Sequence, residues 1–146
     1  MRFAFDTNVL VDVMRDAENE AAFGAFLRRF SHATHLSAVV MLELRAGART
    51  PAQARALEEG VFDPFERRGR VFAPPILAYR SAGALLAKLA DREGWTADAK
   101  PSLVRDALLA VSCRDAGLTL ITRDRDFARF APHLRGWRTV PPWPTS

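Results

Sequence analysis

Leu118-Thr119-Leu120-Ile121-Thr122 is the strongest strand signal in the chain, and its surroundings decide the fold. Leucine and β-branched residues suit a buried, extended backbone. Gly117, just before it, ends a helix that Ser102 would cap. Just after it, Asp124 to Phe130 reads as a short helix, and Trp137 to Val140 as a final strand. Pro141-Pro142-Trp143-Pro144 then blocks further regular structure.

The same alternation runs back to the N-terminus. Phe3-Ala4-Phe5 is strand-like but too short for periodicity alone to classify. Thr7 and Asn8 can cap a short helix over Val9–Met14. Residues 19–31 place Ala22, Phe23, Phe26, Leu27 and Phe30 on one helical face. His35-Leu36-Ser37 looks like a strand end, and Ser37 caps a helix from about 38 to 47, closed by Gly47. Pro51 opens a helix over 51–62. Arg70 to Ala73 reads as a strand, and a long helix covers 76–93 and stops at Gly94. Trp95 to Pro101 is the clearest loop. Strands alternating with helices imply an α/β fold, a three-layer α/β/α sandwich with a mainly parallel central sheet.

The 146 residues fit one domain, 1–146, with a single core. Hydrophobic residues at 49% and charged residues at 26% are an ordinary globular balance, which argues against disorder. The chain contains no apolar run long enough to span a bilayer, and it opens directly on a strand, so a cytoplasmic location is expected. A single cysteine, Cys113, excludes an internal disulfide framework and a multi-cysteine zinc site. The formal net charge is +4, and of 21 basic residues only Lys88 and Lys100 are lysines. Arginine binds phosphate with two parallel hydrogen bonds, although a GC-rich genome would produce the same bias.

Four acids stand beside apolar runs: Asp6, Glu43, Asp106 and Asp124. Carboxylates are costly to bury without a partner. A hard divalent cation, Mg²⁺ or Mn²⁺, is the simplest partner they could share. In parallel α/β sheets, ligands bind beyond the carboxyl ends of strands. Asp6 follows the first strand, Asp124 follows the strand at 118–122, and Glu43 lies on the helix entered from the strand near 36. Asp106 sits in the first turns of its helix, where the macrodipole favours an anion. A basic protein with such a cluster suggests a nucleic-acid ligand.

Four segments, in order, resemble a PIN-domain ribonuclease, most closely a VapC-type toxin of a bacterial toxin–antitoxin pair. They are Phe5-Asp6-Thr7-Asn8-Val9-Leu10-Val11-Asp12, then Ser37-Ala38-Val39-Val40-Met41-Leu42-Glu43-Leu44, then Asp106-Ala107-Leu108-Leu109-Ala110, then Gly117 to Phe127. Each is weak alone; together they span about residues 2–140. The resemblance implies a metal-dependent endoribonuclease, a homodimer and a cognate antitoxin that fills an apolar groove. It also implies an acidic pocket of Asp6, Glu43, Asp106 and Asp124. Asp6 and Asp106 are the first choice as metal ligands, with Glu43 and Asp124 completing the site. The fourth acid stays open between Asp124 and Asp126, the second of which could instead cap the short helix. Asn8, Thr122 and Arg45 are candidates for substrate contact or support.

Two competing functions fit less well. A phosphatase with Asp6 as nucleophile lacks a second acid two residues on, where Asn8 stands. A non-catalytic RNA-binding module would not need all four acids. His32, His35 and His133 lack a metal-ligand spacing, and Cys113 has no activating neighbour.

Overall fold

A computed structural model describes residues 1–144; the last two residues of the expected domain lie outside the described residues. Five strands form one sheet: β1 (Phe3–Phe5), β2 (Thr34–Ser37), β3 (Val71–Phe72), β4 (Thr119–Ile121) and β5 (Thr139–Val140). Their order is β3-β2-β1-β4-β5, and every pairing is parallel. The three-layer α/β/α arrangement expected from the sequence is the one observed. The chain moves from β1 to β2 on one side and returns to β4 on the other. The winding therefore reverses between β1 and β4, and ligands bind beyond the carboxyl ends of strands at such a point.

Helix α1 (Thr7–Arg15) follows β1, and α2 (Ala17–Phe30) returns the chain to β2 through a single 3₁₀ turn. The phenylalanines of α2 belong to the core. Phe26 meets Phe3 and Phe23 meets Phe5 edge-on, with centroids 5.5 and 5.4 Å apart. Each such buried ring stabilises the fold by roughly 1.5–3 kcal/mol. α3 (Ala38–Gly47) starts where the Ser37 hydroxyl accepts from the Val39 amide. Gly47 is its last residue rather than a left-handed terminator.

The helix expected over 51–62 runs further. α4 (Pro51–Leu57) passes through a wide turn at Glu58–Phe62 into α5 (Asp63–Arg67). Thr50 and Gln53 form a reciprocal cap at its start. α6 (Ile76–Glu93) ends as expected, because Gly94 adopts φ 62° and lets Trp95 N–H reach Leu89 O at 3.2 Å. α7 (Leu103–Asp115) precedes β4, but Ser102 makes no side-chain cap to it. The short helix after β4 is a 3₁₀ segment over Arg125–His133.

Candidate active site

Asp6 is fixed at three points. Its amide donates to Ile121 O at 2.9 Å, which registers it against β4. Its Oδ1 accepts from the Thr7 amide at 2.8 Å, and its Oδ2 accepts from the Thr122 hydroxyl at 2.7 Å. The N-cap of α1 is therefore Asp6, not Thr7 or Asn8. Thr7 Oγ1 and Asn8 Oδ1 are buried without a hydrogen-bond partner. The Thr122 hydroxyl also accepts from the Asp124 amide at 2.9 Å, and Asp124 Oδ1 accepts from the Asp126 amide at 2.9 Å. One polar chain thus links β1 to the 3₁₀ segment. Asp124 caps that segment; the cap expected from Asp126 is absent.

Asp6 is 7% exposed. Burial raises its pKa to about 6; the hydrogen bonds from Thr122 and Thr7 oppose the rise, and Glu43 and Asp124 add to it. Burial also raises Asp106 to about 6, against the attraction of Lys100 and with the charges of Asp6, Asp124 and Glu43. These mutual repulsions place all four acids in one electrostatic neighbourhood. Asp124, rather than Asp126, is the acid that Asp6 and Asp106 feel.

Two cations pair with the acids, and neither stood out in the sequence. Arg105 Nη1 lies 2.7 Å from Glu43 Oε2. Lys100 Nζ lies 2.7 Å from Asp126, 3.7 Å from Asp106 and 4.0 Å from Asp124. Partial burial works against the charged lysine, but the Asp126 hydrogen bond and the charges of Asp106, Asp124 and Asp126 prevail, so its pKa is raised. The only available signals were adjacency of Arg105 to Asp106 and the scarcity of lysine. Asp12, the last residue of the first motif, pairs with Arg123 through both carboxylate oxygens.

Among the described residues, no three carboxylates, imidazoles or thiols converge closely enough to hold an ion together. The donor set nevertheless suits a hard divalent cation, since it is all carboxylate and already gathers an ammonium. Arg45 stands outside the cluster: Nε is 3.7 Å from Glu58, and Nη1 donates to Ala48 O at 3.1 Å. His35 Nδ1 is buried without a partner, and burial, then Arg2 and Arg70, lower its pKa. His133 pairs with Glu93 at 2.9 Å. Cys113 is fully buried, which pushes its thiol pKa up and leaves it inert.

The model of the PIN domain matches residues 3–132. The chain belongs to the PIN-domain family. PIN domains are nucleases and generally use divalent metals. Among solved structures, this PIN domain is similar to DNA-bound VapBC from Salmonella typhimurium. The identity is 22% and the TM-score 0.72, over 97% of this chain and 98% of that one. It is also similar to VapBC2 from Rickettsia felis bound to a promoter DNA fragment, with 16% identity, TM-score 0.68 and the same coverage. FitAcB from Neisseria gonorrhoeae shares 21% identity at TM-score 0.66, again over 97% and 98%. At these identities the likeness establishes the fold. No curated protein sequence matches the chain. No helix among the described residues is long and apolar enough to cross a membrane.

Proposed function

We propose that this PIN domain is a metal-dependent endoribonuclease and the toxin of a toxin–antitoxin pair. The observation that supports the reading is that Asp6, beyond the carboxyl end of β1, and Asp106 each feel the charges of Glu43 and Asp124, and Asp106 also feels that of Asp6. Mg²⁺ or Mn²⁺ bound there would lower the pKa of an attacking water and brace the phosphate oxygens.

Asp6 and Asp106 are the carboxylates we assign to hold the ion. Burial makes each costly as a lone anion, and a divalent charge offsets that cost. Thr122 and the Thr7 amide fix the two oxygens of Asp6, so the acid meets the ion without losing rotamer freedom. Glu43 and Asp124 complete the negative field, and their oxygens accept protons from the attacking water. Asn8 Oδ1, orphaned in this structure, is available to a further ligand. Arg125, exposed beside the site, and the half-exposed Arg105 offer phosphate contacts. An aspartyl-phosphate route through Asp6 is disfavoured, because Asn8 stands two residues on where a second acid would be needed.

An apolar groove of about 430 Å³ runs beside the acids, lined by Val11, Met14, Leu44, Ala52 and Leu57, with Glu43 at its margin. An antitoxin segment laid there by its apolar face would carry a basic side chain toward Glu43. The structures of VapBC and FitAcB complexes with this fold support a protein partner of that kind. Ile76, Leu77 and Tyr79 form an exposed apolar patch at the start of α6, which supports a homodimer. The proposed setting is the cytoplasm, where RNA and antitoxin are made. Incubating the purified protein with total RNA and Mn²⁺, beside Asp6→Asn, tests the activity. Cleavage by the wild type alone supports it, and equal cleavage by both refutes it.

A further inference from the structure

The loop from Trp95 to Pro101 is built to deliver one side chain. Gly94 turns the chain out of α6. Trp95 is then wedged against Phe130, at 5.5 Å between centroids, with the Arg129 guanidinium 3.9 Å from the indole centroid. The Thr96 carbonyl accepts from the Lys100 amide at 3.0 Å, and the Lys100 carbonyl accepts from the Leu103 amide at 3.0 Å. The lysine is thereby tied to both the loop and the start of α7. Its ammonium lies over the Trp95 indole, 5.4 Å from the ring centroid, and reaches three carboxylates within 4.0 Å.

We infer that Lys100 is a built-in cation that takes the place of a second divalent ion. This inference rests on the metal-dependent reading of the same acids. Asp124, Asp126 and Asp106 are the carboxylates a second ion would need, and all three already face one ammonium. A divalent ion placed among them would sit within a few ångströms of that charge. Such like charges repel, and a partly buried setting screens them less than bulk water does. Asp6 makes no ion pair with Lys100; its side chain is held by neutral donors instead. The Asp6 side of the cluster therefore remains for one metal ion, with Lys100 positioning Asp106 and Asp124 around it. Arginine at this position would keep the charge, and methionine would keep most of the length without it.

Counting Mn²⁺ bound per chain by equilibrium dialysis tests this on the full chain. Wild type and Lys100→Arg should each bind one ion, and Lys100→Met should bind two. Thermal melting without metal gives a second readout: Lys100→Met should be less stable than Lys100→Arg, and Mn²⁺ should stabilise it more. Two ions on the wild type would overturn the inference, even if Lys100→Met failed to fold. A single ion on folded Lys100→Met would overturn it and leave the metal-dependent reading intact. No Mn²⁺ on any of the three proteins would overturn both.

Discussion

The Thr122 hydroxyl donates to Asp6 Oδ2 at 2.7 Å, across the seam where β1 and β4 pair. The same oxygen of Thr122 accepts from the Asp124 amide. One hydroxyl therefore sets the orientation of two acids that arrive from opposite ends of the chain. This explains why a residue with no chemistry of its own stands at the end of the strongest strand.

Thr122→Val preserves the shape and removes the donor. Asp6 then loses a charge-assisted hydrogen bond in a buried setting, and ion binding and cleavage should each fall about 10–100-fold. Mn²⁺ titration followed by an RNA cleavage assay measures both. An unchanged metal affinity would show that Thr122 does not position Asp6.

Acidification should stabilise the metal-free protein. Asp6 and Asp106 have folded pKa values of about 6, above the unfolded value of 3.8. The folded state therefore takes up protons first as pH falls from about 6 toward 4, so stability rises over that window and falls as pH rises through it. The gain should be about 1–3 kcal/mol. Urea denaturation at pH 5 and pH 7.5, in a chelator, measures it. Asp6→Asn should flatten the difference, and a wild type more stable at pH 7.5 would contradict the account.

Divalent ions should raise the melting temperature of the wild type, because they bind the folded state alone. At 100 times the dissociation constant the stabilisation is about 2.7 kcal/mol. Chelator should reverse it. Asp6→Asn and Asp106→Asn should each lose most of the shift. Shifts equal to the wild type's in both variants would mean that the ions bind elsewhere.

The apolar groove should be separable from the chemistry. Met14 is 41% exposed on its rim, so Met14→Asp should leave folding and RNA cleavage unchanged. Neutralisation by a cognate antitoxin should weaken by at least tenfold, about 1.4 kcal/mol. An inhibition titration reads this directly. Undiminished neutralisation would place the partner on another surface.

Much of the scaffold was legible because its signals are local. Gly94 ends α6 where the sequence places it, and the phenylalanines of α2 face β1 as their spacing demands. The four acids could be placed at one edge because strand ends in a parallel sheet share that edge. Other features depend on tertiary contacts. Nothing in Glu58–Phe62 announces the wide turn that prolongs α4 into α5. Asp6 replaces Thr7 and Asn8 as the cap because the helix begins at Thr7, whose amide donates to the Asp6 carboxylate. Lys100 sits in a polar loop whose composition suggests a connector. Trp95 docks on Phe130 and Arg129, and backbone bonds to Thr96 and Leu103 hold Lys100 beside the acids.

We propose that Asp6 holds the ion on which RNA cleavage depends. The most direct measurement is single-turnover cleavage of total RNA in Mn²⁺ by the wild type and by Asp6→Asn, with circular dichroism confirming that both are folded. The wild type should cut and Asp6→Asn should fall to background, with Mn²⁺ binding strongly weakened. Wild-type cleavage rates in folded Asp6→Asn would contradict the account.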